Sequence, residues 1–266
     1  MRLEGKIAIV IGAGQSPGEG MGNGRATVLR FAEEGAKVMA VDRDLASAEE
    51  TVSMVKQGGG ECVAFEADVT REATLAAAVA AAEKRWGRID ILHYNVGVSI
   101  AGGDRPLPDF TEEAFDRISA VNLRGAIMAC KHVVPIMRRQ RAGAIVMISS
   151  LAALENYPYV AYKATKAALI AFTQQVAIQN AEYGVRANAI LPGLIDTPMA
   201  VDTRARVSGK SRAEVAAERD ARVPLRRKMG TAWDVANAAL FLASDEASFI
   251  TGVALLVDVG SALNIG

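Results

Sequence analysis

The sequence predicts an α/β fold with a single doubly wound parallel sheet of about seven strands and helices on both faces. Short apolar, β-branched segments alternate with amphipathic helical segments along the chain. The first strand is followed at once by a glycine-rich turn, a helix and a second strand, and this βαβ order favours parallel pairing. Because no Pro/Ser-rich linker or low-complexity tract divides the chain, residues 1–266 are expected to form one domain.

The individual elements follow from runs of β-branched residues, which favour strands, and from a 3.6-residue apolar period, which favours helices. The strands are expected at 6–11, 38–42, 61–68, 88–95, 144–149, 185–191 and 252–258. The first helix begins near Arg25 and is closed by Gly35, since glycine commonly ends a helix. Further helices are expected near 45–56, 72–86, 111–139, 161–184 and 232–243.

The segment 197–224 interrupts this alternation. It has Pro198 and Pro224 at its ends and many charged residues between them. Long irregular segments in compact domains are often functional, so one interpretation is a lid over a substrate site. The other is a solvated surface excursion, and the sequence leaves both open.

The composition bounds the class of protein. With 51% hydrophobic and 23% charged residues, the chain is typical of a globular protein. Thirty basic residues balance thirty acidic ones, so the net charge favours neither nucleic acid nor an anionic membrane as a partner. Cys62 and Cys130 are isolated and indicate neither a disulfide framework nor a metal site. No apolar run approaches the ~20 residues of a membrane span, and no signal peptide is evident, so we expect a cytoplasmic location.

The stretch from Ser150 to Lys166 (SLAALENYPYVAYKATK) carries the residue types that acid–base chemistry needs. Tyr162 and Lys166 are four positions apart in a predicted helix, which places them one turn apart on the same face. An ammonium at roughly 4 Å, in an effective dielectric of about 20, would favour the phenolate by about 4 kcal/mol. We therefore expect Lys166 to lower the pKa of Tyr162, which would exchange protons with an alcohol or carbonyl oxygen. A chance pair on a helix surface is the alternative interpretation.

The turn after the first strand is rich in glycine, as a phosphate-binding turn must be where the backbone approaches a pyrophosphate closely. The strict G-x-G-x-x-G spacing is absent, because Pro17 stands where the last glycine would be. A glycine-rich surface turn is therefore the alternative. The glycines of this turn are Gly12, Gly14, Gly18, Gly20, Gly22 and Gly24.

Asp42 lies at the end of the second predicted strand, near the offset at which a carboxylate meets the adenosine ribose of a dinucleotide. A carboxylate accepts hydrogen bonds from a 2′-hydroxyl but repels a 2′-phosphate, which favours NAD over NADP. The adjacent Arg43 could contact adenine or a phosphate, so NADP remains the less favoured alternative.

Taken in order, these motifs resemble those of the short-chain dehydrogenase/reductase family, whose Rossmann-type fold would cover essentially the whole chain. The first helix with its turn, GNGRATVLRFAEEGAKV, is similar to that family's, and ADVT, YNVG, VNLRG and LPGLIDTPM resemble its later motifs. The resemblance implies the catalytic residues Asn122, Ser150, Tyr162 and Lys166. It implies cofactor contacts from Gly12, Gly14, Gln15, Gly22, Asn23, Gly24, Asp42, Arg43, Asp68, Val69, Asn95, Gly97, Tyr162, Lys166, Pro192, Gly193, Ile195 and Thr197.

The chain departs from the family pattern at several points. Nine residues separate Gly12 from Gly22 where the family usually has three, which enlarges the phosphate turn. Tyr94 replaces the first Asn of the family's NNAG turn. The interval from Ser150 to Tyr162 is one residue shorter than usual, which leaves Ser149 as an alternative to Ser150.

The resemblance implies NAD(H)-dependent hydride transfer between the cofactor and a secondary alcohol or ketone, in a homotetramer. We favour a small to medium, uncharged substrate. The alternatives are a 3-oxoacyl-carrier-type reductase using NADP(H), an isomerase or lyase that keeps its nicotinamide bound, and a non-catalytic dinucleotide-binding regulator. The two histidines, His93 and His132, lack metal-ligand spacing and are expected to be structural.

Overall fold

The structure is a computed structural model that describes residues 1–263, and its centre is a seven-stranded parallel sheet. The predicted fold class is confirmed. The strands are β1 (Ile7–Ile11), β2 (Lys37–Asp42), β3 (Cys62–Glu66), β4 (Ile91–Tyr94), β5 (Gly143–Ile148), β6 (Val185–Pro192), β7 (Ile195–Asp196), β8 (Gly230–Thr231) and β9 (Ala254–Val257). Their order in the sheet is β3-β2-β1-β4-β5-β6-β9, and the two short strands β7 and β8 form a separate parallel pair.

Helices cover both faces of the sheet. They are α1 (Asn23–Glu33), α2 (Leu45–Gln57), α3 (Glu72–Trp86), α4 (Glu112–Ser119), α5 (Gly125–Gln140), α6 (Val160–Asn180), α7 (Asp202–Ser208), α8 (Arg212–Asp220) and α9 (Ala232–Ala243). Alternate strand residues point to opposite faces, so Ile9 packs in the core with α3, α5 and α6. Val10 packs in the other core with α1, α2 and α9. Each strand of the centre is therefore apolar on both faces, as the near-continuous apolar runs predict.

The chain reverses its direction of travel across the sheet beside β1. From β1 it moves outward through β2 and β3, and it then returns to place β4 on the other side of β1. Ile11 pairs with Tyr94, so the turns after β1 and β4 leave the sheet side by side. In open parallel sheets, ligands bind beyond the carboxyl ends of the strands at such a reversal.

The predicted helix over 111–139 is in fact two helices. α4 and α5 are joined by a π-helical turn, Ala120–Arg124. The hydroxyl of the fully buried Tyr94 donates a hydrogen bond of 2.6 Å to the carbonyl of Val121 in this turn. Such turns rearrange the backbone ladder locally and are frequent at functional sites. Tyr94, a departure from the family motif, thus stabilises the turn that carries Asn122.

The 197–224 segment is more ordered than the sequence suggests. It contains α7 and α8, and Val201, Val215 and Val223 pack with Met229 in a small apolar core of their own. A capping box between Ser211 and Glu214 begins α8. Within residues 1–263, no helix combines the length and apolar character needed to cross a membrane.

Candidate active site

Tyr162 and Lys166 lie one turn apart on α6, beside the carboxyl end of β5. The Lys166 side chain is buried, and its Nζ donates a hydrogen bond of 2.7 Å to the carbonyl of Ile148, the last residue of β5. The same Nζ is 5.7 Å from the centre of the Tyr162 ring. The ammonium is thus fixed at the end of the sheet and faces the phenol.

Ser150 follows β5 and belongs to the same group of side chains. Its Oγ accepts a hydrogen bond from the backbone N–H of Ala152, and hydrogen bonding between Ser150 and Tyr162 acts to lower the pKa of the phenol. Ser149 is buried, and its hydroxyl donates to the carbonyl of Lys166 at 2.7 Å. The geometry therefore favours Ser150 over Ser149 as the serine that faces a substrate.

Asn122 lies in the π-helical turn and is fully buried. Its Oδ1 accepts a hydrogen bond from the N–H of Val98 at 2.8 Å, and its Nδ2 donates to the carbonyl of Val98 and to the hydroxyl of Thr165. A β-carbon on Gly97 would lie 3.0 Å from Lys166 Nζ, so glycine lets the turn after β4 approach the ammonium. Asn122 thus holds the Gly97–Val98 turn against α6.

Asp104 is the residue that sequence reasoning missed. It is fully buried, and its carboxylate accepts hydrogen bonds from the N–H groups of Ala161 and Tyr162 at 3.0 and 2.9 Å. N–H groups in the first turn of a helix have no acceptor within the helix, so Asp104, from a loop distant in sequence, caps the start of α6. The Ser99 hydroxyl donates to Asp104 and also lies 3.2 Å from the hydroxyl of Tyr157. Asp104 therefore positions the backbone of Tyr162.

The pKa values of the pair differ from the sequence-based expectation. Burial raises the pKa of Tyr162 to about 12, and the nearby phenol of Tyr157 acts in the same direction. Burial also lowers the pKa of Lys166 to about 7. We expected the ammonium to lower the pKa of the phenol, but burial raises it, because desolvation disfavours the phenolate in a site enclosed by protein.

The turn after β1 has the features that a dinucleotide pyrophosphate requires. A β-carbon on Gly24 would collide with the carbonyl oxygen of Gly12, so the start of α1 can lie this close to the end of β1 only with glycine at position 24. No side chain caps the start of α1 and its first turn has no acidic residue, which leaves the positive end of the helix for an anion. Asn23 Oδ1 is buried there without a partner among the described residues. The residues present therefore fit a dinucleotide.

Asp42 lies beside this turn at the end of β2. Its Oδ2 accepts a hydrogen bond from the N–H of Gly14 at 2.9 Å, and its Oδ1 accepts one from Asp44. Each oxygen keeps a lone pair that can accept from a ribose hydroxyl. Arg43 is exposed beside it.

The remaining predicted cofactor residues also lie at the carboxyl end of the sheet. Asn95 follows β4 and donates to the carbonyl of Gly12 at 3.1 Å, which connects two neighbouring turns. Asp68 accepts two hydrogen bonds from Thr70, and these lower the pKa of its carboxyl against the effect of burial. The others are Val69 after β3, Pro192 at the end of β6, Gly193 next to it, Ile195 in β7, and Thr197 after β7.

The enlarged part of the glycine turn is attached to the 197–224 segment. The Gln15 side chain closes the loop, because its Oε1 accepts from the N–H of Gly22. Asp202 in α7 accepts from the N–H of Glu19 at 3.1 Å. Arg206 donates to the carbonyl of Pro17. The extra residues of the glycine turn thus bind α7, in the 197–224 segment, through their backbone groups.

The histidines do not contribute to the site. His132 lies beside Glu72, with 3.1 Å between its Nε2 and the carboxylate. His93 is fully buried in β4, packs edge-on against Phe31, and has no hydrogen-bond partner for either ring nitrogen among the described residues. Burial lowers the pKa of His93 to about 3. In residues 1–263, no group of three or more His, Cys, Asp or Glu residues is arranged to hold a metal ion.

The buried His93 predicts a pH dependence of stability. Its folded pKa lies below the unfolded value of 6.5, so the unfolded chain binds the extra proton and stability falls as the pH drops below 6.5. His93→Leu should remove this pH dependence. Its free energy of unfolding should therefore rise relative to that of the parent by about 1.5 kcal/mol as the pH is lowered from 6.5 to about 5. Urea unfolding of both proteins at the two pH values measures the difference. A constant difference would show that His93 is not buried in the neutral form.

Similar proteins were found for nearly the full length of the chain. Residues 18–262 match a family model described as enoyl-(acyl carrier protein) reductase. A 2-(R)-hydroxypropyl-CoM dehydrogenase from Xanthobacter autotrophicus is 37% identical over 255 residues, covering 95% of this chain and 97% of that protein. A 3-oxoacyl-(acyl-carrier-protein) reductase from Thermotoga maritima is 36% identical, covering 98% and 99%. A solved short-chain dehydrogenase/reductase from Burkholderia xenovorans is 43% identical, with a TM-score of 0.93 over 100% of this chain and 99% of that one.

The fold, the site and these relatives together define the class of protein, which is an oxidoreductase. The chain belongs to the short-chain dehydrogenase/reductase family, whose members use nicotinamide cofactors. The family predicted from the motifs is confirmed.

Proposed function

We propose that the protein is an NAD(H)-dependent oxidoreductase that interconverts a secondary alcohol and a ketone. The observation that carries the proposal is that Lys166, fixed at the carboxyl end of β5, faces the Tyr162 ring at 5.7 Å, while Ser150 acts on the same phenol. A hydroxyl, a phenol and a fixed ammonium in one place can hold a carbonyl oxygen and exchange a proton with it. This site adjoins a turn that fits a dinucleotide.

Each residue of the site has a part in this proposal. The bound nicotinamide supplies or accepts the hydride. Tyr162 donates its phenolic proton to the carbonyl oxygen in reduction and takes the alcohol proton in oxidation, while the Ser150 hydroxyl holds the same oxygen. Lys166 favours the phenolate by its charge. Asn122 keeps the Gly97–Val98 turn in place beside Lys166.

The pKa of Tyr162, about 12, has a consequence for the direction of the reaction. At neutral pH the phenol keeps its proton, which is the form that donates to a ketone oxygen. Oxidation needs the phenolate and is therefore favoured at alkaline pH.

The proposal is tested by mixing the purified protein with NAD and a series of secondary alcohols, and with NADH and the corresponding ketones. Absorbance of the reduced nicotinamide measures turnover. Consumption of NADH with a ketone, and formation of NADH with its alcohol, is the expected result. Conversion of a substrate without a net change in NADH would favour an isomerase or lyase, and cofactor binding without any conversion would favour a regulator.

Asp42 should determine the choice between NAD and NADP. Its charge is expected to repel a 2′-phosphate. Asp42→Asn removes the charge and keeps the shape and the acceptor for Gly14 N–H, but it loses the acceptor for Asp44 N–H. We expect kcat/KM with NADP to rise by about 10-fold and kcat/KM with NAD to fall severalfold. Arg43→Ala is the matched control, because it changes the adjacent charge and leaves the carboxylate. A parent enzyme that prefers NADP would contradict this assignment.

A second candidate is a 3-oxoacyl-carrier reductase that uses NADP(H). It is supported by the match to an acyl-carrier reductase family model and by the Thermotoga maritima relative. An N-acetylcysteamine thioester of a 3-oxo acid tests it, since this probe carries the thioester without the carrier. Faster turnover of that thioester with NADPH than of simple ketones with NADH would favour this candidate.

We also propose that the protein acts on a small molecule, assembles as a homotetramer and resides in the cytoplasm. β9 is an edge strand of the sheet, and apolar side chains are exposed there and close by, among them Val253, Leu256 and the fully exposed Phe249. Such an edge suits pairing with a second copy. The free thiols of Cys62 and Cys130 are compatible with a reducing compartment.

A further inference from the structure

The helix that carries Tyr162 has no cap from its own sequence. Tyr159, the residue before α6, makes no side-chain capping bond, and the first turn of α6 contains no acidic residue. Asp104, which lies 58 positions before Tyr162, supplies the acceptors instead. Its carboxylate accepts from the N–H of Ala161 at 3.0 Å and from the N–H of Tyr162 itself at 2.9 Å. The point at which the phenol leaves the helix therefore depends on this carboxylate.

The loop that carries Asp104 is fixed at both ends. At its start, Val98 exchanges two hydrogen bonds with the side-chain amide of Asn122. Near its end, Gly103 has a φ of +93°, a left-handed conformation that favours glycine. The N–H of Asp104 donates to the carbonyl of Ser99 at 3.3 Å, which closes the loop. Because these bonds fix the loop, the carboxylate gives α6 a fixed point of attachment.

The same carboxylate is linked to a second phenol. The Ser99 hydroxyl donates to Asp104 at 3.1 Å and lies 3.2 Å from the hydroxyl of Tyr157. A serine hydroxyl has one proton, and here it goes to the carboxylate, which can only accept. The Tyr157 hydroxyl therefore donates to Ser99. Burial raises the pKa of Tyr157 and the charge of Asp104 acts in the same direction, so Tyr157 keeps the proton that it donates.

The network thus holds two neighbouring phenols. The rings of Tyr157 and Tyr162 lie 5.5 Å apart between centroids, with their planes inclined by 38°. Because the proton of Tyr157 is engaged with Ser99, Tyr157 does not compete with Tyr162 as a proton donor. A reacting group misplaced by about 1 Å can lower a rate by about 10²-fold, so a fixed arrangement of the two phenols matters for turnover.

We propose that Asp104 is a positioning residue for proton transfer by Tyr162. It holds the backbone of Tyr162 directly and the hydroxyl of Tyr157 through Ser99. This inference rests on the proposed function and adds residues that its catalytic group does not include. Since Asp104 acts through Tyr162 and not on the cofactor, its loss should lower kcat and leave KM and cofactor binding nearly unchanged.

Asp104→Ala and Asp104→Asn test the direct contact. Alanine removes both acceptors, and we expect kcat for ketone reduction with NADH to fall by about 10²-fold. Asparagine keeps the size of the side chain and one acceptor oxygen, so it should recover about 10-fold of that loss. KM for the ketone and the dissociation constant of NADH, followed by fluorescence, should stay within about threefold of the parent in both variants.

Ser99→Ala and Tyr157→Phe test the indirect contact, because each breaks the hydrogen bond between the two hydroxyls and leaves the cap of α6 in place. Each should lower kcat by about 3- to 10-fold, as expected for the loss of one hydrogen bond. The double variant should be no slower than the slower single variant, because the effects of two residues that share one bond do not add.

Thr111→Ala is the matched control. The Thr111 hydroxyl caps α4 by accepting from the N–H of Ala114, and Thr111 is exposed. Its loss should lower the midpoint of urea unfolding without lowering kcat. Urea unfolding of every variant shows which are folded in the assay. If Asp104→Ala is not, Asp104→Asn and Ser99→Ala decide the outcome.

The proposal would be overturned by parent-like kcat in folded Asp104→Asn or in Ser99→Ala, and the oxidoreductase would still stand. A kcat loss in Asp104→Asn that is matched by weaker NADH binding, or a similar loss in Thr111→Ala, would overturn it as well, since either would reflect a general loss of structure. Absence of turnover by the parent enzyme with every alcohol and ketone would contradict the proposed function, and the inference would fall with it.

Discussion

Replacing Tyr162 with phenylalanine should lower kcat/KM by about 10³-fold in both directions, while NADH binding stays largely intact. The substitution removes one hydroxyl and keeps the ring, whose packing against Tyr157 is intact. General acid–base groups contribute typically 10²–10⁴-fold, and the expected loss lies in the middle of that range. Initial rates at several pH values, together with fluorescence titration of NADH, measure both effects.

Tyr159→Phe is the control for this experiment. Tyr159 belongs to the same aromatic cluster, at 5.7 Å from Tyr157 between ring centroids, and it precedes α6 directly. Loss of its hydroxyl should leave turnover near that of the parent. A Tyr162→Phe variant with more than about a tenth of the parent activity would contradict the assignment, because loss of a proton donor has a larger effect.

The inner strands of the sheet could be predicted because they are buried on both faces and therefore read as continuous apolar runs. The edge strands β3 and β9 are only partly buried but keep an apolar run. β7 and β8 have two residues each, which is too short for any period to appear. The π-helical turn could not be predicted either, since it leaves the apolar pattern of 111–139 almost unchanged. It depends on a hydrogen bond from Tyr94, which is 27 positions away from Val121.

The site shows the same division between local and long-range information. Tyr162 and Lys166 were found from their spacing on one helix, and Asp42 was found from its offset to the glycine turn. Asp104 forms its bonds to α6 over a separation of 58 positions, so no local pattern indicates it. Arg219 lies in a helix rich in charged residues, which is typical of a solvated face. Only the packing of α8 shows that Arg219 as a residue is largely buried.

Replacing Lys166 with methionine should lower activity and raise stability. Methionine has a similar length and no charge. The substitution removes the ammonium whose Nζ lies 5.7 Å from the centre of the Tyr162 ring, and with it the positive charge that favours the phenolate. We expect kcat/KM for alcohol oxidation to fall by about 10²-fold, within the range typical of groups that support acid–base catalysis.

The expected gain in stability follows from the pKa of Lys166, which burial lowers from its ordinary value of 10.5 to about 7 in the folded protein. Between pH 7 and pH 10.5 the lysine is protonated in the unfolded chain and neutral in the folded protein. It therefore destabilises the fold, and most strongly below about pH 7. The pKa shift of Lys166 corresponds to a loss of about 5 kcal/mol in the free energy of unfolding. Removing its hydrogen bond to the Ile148 carbonyl would offset about 1–3 kcal/mol of the gain expected for Lys166→Met. Lys166→Met should therefore be more stable by about 2 kcal/mol or more at pH 7, with the difference shrinking as the pH rises toward 10.5.

Urea unfolding of the parent and of Lys166→Met at about pH 7 and about pH 9.5 measures this difference. Lys163→Met is the matched control, because Lys163 lies on the same helix, is only partly buried, and donates to backbone carbonyls such as that of Ala152. It should show neither the activity loss nor the pH-dependent gain. A less stable Lys166→Met protein would show that the ammonium is well solvated in the fold. A more stable and inactive one would show that this family member retains a costly buried charge for its chemistry.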